Sequence, residues 1–217
     1  MDTTARTQAV AELVGGLCYA LLRVYQITAA ATTSAPSVSL AEQQATFANE
    51  EFARHRMLRA RLDQLTDGPE AAMGRFREMV DGFYEAARPD EWLEAQTFHF
   101  VGNAITKDFA ELAGDRFDDD TAQAIKEALT TRTKQESFSL AQILGALEHG
   151  GAEARERVAH YAAHMIGQGL NRFREALLAS DTLEVALGGP DQVKEVVLEL
   201  LGRHRERLER LGVETVE

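Results

Sequence analysis

Glu51-Phe52-Ala53-Arg54-His55 lies in the middle of a helical stretch whose inward stripe reads Phe47, Glu51, His55, Leu58, Leu62 and Leu65. A glutamate on an otherwise apolar stripe needs a partner, because an isolated charge in a core is very costly. Helix-bundle metal centres place Glu-x-x-His at such a spot, since residues three apart share a helix face and can grip the same ion pair. Here Arg54 stands where that histidine would be, and a guanidinium cannot ligate a metal. The stretch therefore predicts a bundle of long helices with an ionic group inside it.

The neighbouring blocks agree. Residues 4–32 carry Val10, Val14, Leu17, Leu21, Val24 and Thr28 at alternating three- and four-residue spacing, the stripe of a core-facing helix. Thr33 to Ser37 reads as a turn. Ser39 with Glu42 reads as a capping box opening the second helix, which Asp67-Gly68-Pro69 ends near Leu65. Residues 69–87 predict a connecting helix with Met73, Phe76, Met79, Val80 and Phe83. A block over 89–113 follows, with Glu94, Phe98, Val101, Ile105, Asp108 and Leu112 inward. Residues 120–148 are helical with a break around Thr130 to Lys134. His149-Gly150-Gly151 separates them from a helix over 152–180, with Val158, Tyr161, Met165, Ile166 and Phe173 inward. Gly188-Gly189-Pro190 precedes a final helix over 191–211. No segment alternates with the period of a strand. The expected fold is all-α: one domain over 1–217, an antiparallel bundle over 4–180, and extra connecting and C-terminal helices.

Composition sets further bounds. With 217 residues, 45% of them apolar, and four prolines, the chain can build a sizeable helical core. A net charge of −12 opposes general binding to phosphate backbones. Cys18 is the only cysteine, so no internal disulfide forms. Ala9 to Val24 is apolar but short for a span. It is interrupted by Glu12 and has no basic segment before it, so a buried core helix is expected and no membrane partner. The expected location is cytoplasmic.

Trp92-Leu93-Glu94, Val101-Gly102 and Asp108-Phe109 resemble the third-helix segment of the ferritin-like, MiaE-like tRNA hydroxylase group of actinobacterial type. Glu51-Phe52 with Leu58 and Leu62 resembles that group's second helix, and Gly167 with Leu170 its last bundle helix. The resemblance implies a ferritin-like bundle. For an active member it also implies an iron pair held by four carboxylates and two histidines, and tRNA as substrate. Glu51 and Glu94 match carboxylate ligands. The first-helix glutamate falls at Leu21, the histidine at Arg54, a later motif near Gln135 and Ser137, and the last glutamate at Gln168. Most of the ligand set is thus replaced, and the expected protein has no metal cofactor and a binding or structural role. The alternative is an iron-dependent oxidoreductase or tRNA hydroxylase using Glu51, His55 and Glu94.

The cluster of interest is Leu21, Glu51, Arg54, His55, Glu94 and Gln168. Glu94 reads either as a ligand remnant or as a partner of Arg54 across the bundle, the second being favoured. His55 reads as a ligand beside Glu51 or as its hydrogen-bond partner. A small molecule in a cavity at the old metal position and a homodimer are the expected partners. His160, His164, Gln168 and Asn171 read as a solvated polar face. The arginine runs at 54–61 and 203–210 read as helix surfaces laced by ion pairs. His99 and His204 have no organised company in the sequence.

Overall fold

The computed structural model describes residues 3–114, 116–130 and 132–212, and every regular element among them is helical. α1 (Thr3–Ala30) ends in a 3-10 turn, Ala31–Ser34. α2 (Val38–Leu65) follows, then the short α3 (Pro69–Gly74) and α4 (Arg77–Ala86). α5 (Trp92–Thr97), a π turn (Phe98–Gly102) and α6 (Asn103–Gly114) are continuous. α7 (Asp119–Thr130), α8 (Thr133–Ala179), α9 (Thr182–Leu187) and α10 (Pro190–Arg210) complete the chain.

Side-chain contacts give the topology. His55 Nδ1 donates to the Cys18 carbonyl at 2.9 Å, and Gln44 Nε2 to the Thr28 carbonyl at 3.4 Å, so α1 and α2 are antiparallel. Arg61 meets Thr121, Glu51 meets Arg132, and the Phe47 and Phe138 rings lie 5.3 Å apart. α7 and the first limb of α8 therefore run antiparallel to α2 as one interrupted helix. Trp92 bonds Gln142, and Ser139 bonds Gln96, so the α5–α6 helix is also antiparallel to that limb. It follows that α2 and α5–α6 are parallel. Joining parallel neighbours needs a connection along the bundle's whole length, and α3 and α4 supply it. One long crossover in a four-helix bundle is the ferritin-like arrangement.

All six α1 stripe residues are buried. By length and composition α1 with its 3-10 turn could cross a membrane, but here its apolar face is covered by α2, α3, α4 and α9. A Cβ on Gly15 would lie 2.5 Å from the Ala72 carbonyl carbon, so only glycine lets α3 pass this close. Gly151, at φ +58°, bends α8 where the sequence placed a break. The second limb then packs on α4: Tyr161 Oη donates to the Ala87 carbonyl at 2.6 Å, and His164 Nε2 to the Ala86 carbonyl at 2.9 Å. α10 docks on α6, where Arg207 and Arg203 reach the buried Asp108 at 2.8 and 3.5 Å.

Three details differ from the sequence reading. The connecting block over 69–87 is two helices, α3 and α4, parted at Arg75 and Phe76. The α2 cap is Ser37, whose hydroxyl accepts from Leu40 N–H at 3.3 Å, because Ser37 has the extended backbone a cap needs and Ser39 is already helical. α9 was not foreseen; six residues are too few to show a periodicity.

Candidate functional site

Glu51 is fully buried, and its partner comes from the interruption in the fourth bundle helix. Arg132 stands just before α8 with non-helical dihedrals (φ −105°, ψ 15°). Its Nε and Nη2 donate to Glu51 Oε1 and Oε2, both at 2.9 Å. That fork matches the two carboxylate oxygens one to one. Arg54 Nη1 approaches Glu51 Oε1 at 3.3 Å from the same helix, while its Nη2 pairs with Glu50 at 3.3 Å. Arg54 thus adds a second positive group beside Glu51. The cross-bundle partner, however, is Arg132. The sequence marked that place as a break and not as a charge.

A second polar layer lies two helical turns along α2, about 10 Å away. Gln44 is fully buried; its Nε2 lies 2.8 Å from His99 Nε2, and its Oε1 accepts from Gln96 Nε2 at 3.3 Å. Ser139 Oγ donates to Gln96 Oε1 at 2.9 Å, closing the chain to α8. Burial, with the Arg132 charge adding to it, pushes the His99 pKa down to about 3, so the ring is neutral. With Gln44 donating to Nε2, the proton sits on Nδ1. Asn103 Nδ2 stands 3.5 Å from that Nδ1, and Asn103 Oδ1 has no partner among the described residues. Turning the Asn103 amide over lets Oδ1 accept the Nδ1 proton and resolves both. His99, in the π turn, and Asn103, just after it, are four residues apart and share a helix face. His99 is therefore not without company, as the sequence suggested.

Glu94 is not in this core. It is half-buried, and its Oε2 accepts from Asp90 N–H at 2.8 Å. The α5–α6 helix is enclosed on two sides, so its sequence carries two buried stripes. Gln96, His99 and Asn103 face the bundle centre. Glu94 faces the second limb of α8, where its charge helps raise the Tyr161 pKa, after burial. His55 is half-buried and staples α2 to the Cys18 carbonyl instead of bonding Glu51. Leu21 is buried at the level of Glu51. Gln168 is half-buried on the second limb of α8 and takes no part in either polar layer. Gln135 is buried between the layers with neither amide atom bonded among the described residues, whereas Ser137 is exposed. His160 and His164 are exposed, as expected. His204 is buried, which lowers its pKa to about 4, with Arg207 contributing. Cys18 is buried, and burial raises its thiol to about 12.

The donor set does not fit an iron pair. Both Glu51 oxygens are held by one guanidinium and a second lies beside them, so an incoming cation would meet two positive groups. No group of three or more His, Cys, Asp or Glu side chains that could hold a metal exists among the described residues.

The apolar cavity also lies elsewhere than expected. About 240 Å³ opens between α1, α4, α6, the second limb of α8 and α10, beside the bundle instead of at its centre.

Four helices, one crossover and an inward cluster of polar side chains define a ferritin-like bundle. The chain belongs to the ferritin-like domain family of actinomycetes, whose model matches residues 5–189. No curated protein matches the sequence. α10 falls beyond the matched residues.

Proposed function

We propose that this protein is a ferritin-like bundle that has exchanged its di-iron site for a fixed ion pair and acts by binding, not by oxygen chemistry. The observation that carries this reading is the fork from Arg132 to both oxygens of Glu51 at 2.9 Å. A carboxylate so held is not free to bridge metals, and Arg132 costs several kcal/mol to leave unpaired in a core. A MiaE-like hydroxylase needs carboxylates and imidazoles from all four bundle helices. Here the fourth helix offers Arg132, Gln135 and Ser139. The polar layers are the bundle's structural lock, and the apolar cavity beside it is the binding space.

Metal content decides between the readings. Protein purified without chelators, then dialysed against ferrous iron, manganese or zinc under argon, is expected to retain well below one ion per chain. Near-stoichiometric metal, lost on Glu51→Ala, would restore the oxidoreductase or tRNA hydroxylase reading.

A further inference from the structure

The cavity wall is largely apolar, with hydroxyl-bearing Tyr84 and Thr106 and one charged side chain in it. Leu17, Val80, Phe109, Phe173 and Leu201 typify it, and Arg172 is the only charged side chain among the lining residues described. Leu170 and Arg172 line the cavity and are also partly exposed to solvent, so the opening lies beside them. The Arg172 guanidinium rests on Gly82: a Cβ there would lie 2.9 Å from its Nε. That Nε is shut off from water and has no acceptor among the described residues. Among the described residues Nη1 alone is engaged, by Glu175 at 2.8 Å, and Glu175 is itself 56% exposed, so this pair is a weak competitor for another anion.

A deep apolar space with one under-used guanidinium at its opening matches a specific ligand chemistry. We infer that the cavity binds a single-chain carboxylate amphiphile of medium length, its chain inside and its carboxylate on Arg172. The inference rests on the binding role proposed above and names its ligand class. The volume of about 240 Å³ is below the roughly 300 Å³ at which pockets for drug-sized molecules begin, which suits one short alkyl chain better than a ring system. Charge selects the headgroup: a guanidinium grips a carboxylate through paired hydrogen bonds and repels an amine. Val197, Leu200 and Leu201 of α10 supply one wall, so the helix outside the matched family residues completes the site.

The test is calorimetric titration of the full chain with decanoate, decanol and decylamine, repeated on Arg172→Gln and Gly169→Leu. Gly169 lines the cavity, and a Cβ there makes only ordinary contact with Phe83 at 3.6 Å, so leucine extends into the space without a backbone clash. Thermal melts confirm that each variant folds. Decanoate is expected to bind at one site and at least about tenfold more tightly than decanol, the scale of a charge-assisted hydrogen bond. Decylamine should be weakest. Arg172→Gln should remove the decanoate advantage and leave decanol unchanged, and Gly169→Leu should weaken both. Equal binding of decanoate and decanol, with no effect of Arg172→Gln, would overturn the headgroup assignment and leave the binding role standing. Binding of neither would overturn the cavity as a ligand site, and with it the binding role. Should Arg172→Gln fail to fold, the order of the three ligands on the unmodified chain decides alone.

Discussion

At the residue scale, Arg132 and His99 govern the core. Arg132→Ala leaves Glu51 with Arg54 as its one charged partner among the described residues, and Arg54 is shared with the partly exposed Glu50. We expect a loss of about 3–5 kcal/mol by denaturant unfolding, the usual result of removing one member of a buried pair. Arg54→Ala should cost less, about 1–2 kcal/mol, because the fork from Arg132 stays intact. The reverse order would mean that Arg54 is the principal partner. His99 sets a pH dependence. Its folded pKa, about 3, is below the ordinary 6.5, so from 6.5 downward the unfolded chain takes up a proton that the folded chain does not. Its contribution is therefore complete above 6.5 and is lost as pH falls toward 3, at up to about 1.4 kcal/mol per pH unit. His204, lowered to about 4, adds in the same direction down to that value. Replacing His99 with Gln should flatten the slope by about one proton between these limits. An unchanged slope would show that His99 is not the group involved.

At the scale of elements, much of the fold was legible because helix stripes report burial directly. The stripe of α1 and the block boundaries before α3, α5, α8 and α10 follow from apolar spacing, proline and glycine. Leu21 is the sharpest case: it is buried and level with Glu51, so Leu21→Ala should cost about 2–5 kcal/mol through lost burial and a residual cavity. A cost under about half a kcal/mol would mean that neighbouring side chains collapse into the space without loss. What was not legible is the polar core, for three physical reasons. The α5–α6 helix is buried on two faces, so periodicity alone could not tell Glu94's face from that of Gln96 and His99. His99 and Asn103 are four apart, the spacing of one helix face, but that face is polar and so did not read as inward. Arg132 lies at an interruption, where no stripe exists to mark it as inward. Each failure comes from reading a helix as straight and one-sided, and the departures from that geometry are concentrated around the polar centre.

At the scale of the whole molecule, the ion pair is expected to oppose metal binding even where the missing ligands are put back. The sequence pointed to Leu21→Glu, Arg54→His and Gln168→Glu as the minimal reversal. In the structure Gln168 lies outside the bundle centre and Glu51 stays held by Arg132 in that triple variant. We therefore expect it to bind ferrous iron no better than the parent, and to be less stable, since it buries new carboxylate charge and removes a core leucine. Exchanging the third change for Arg132→Glu alters the balance. It frees Glu51, removes the remaining guanidinium, and adds a carboxylate from the fourth bundle helix to those from the first two. Two adjacent carboxylates in a core raise one another's pKa, and a cation relieves that repulsion. This second triple variant should bind one divalent ion and gain thermal stability on binding it, because a ligand that binds only the folded chain shifts unfolding by mass action. Anaerobic titration with ferrous iron, read by calorimetry and by melting temperature, separates the two designs. Tight binding of two irons by the Gln168→Glu variant, with Arg132 intact, would show that the ion pair opens readily and is no barrier to metal.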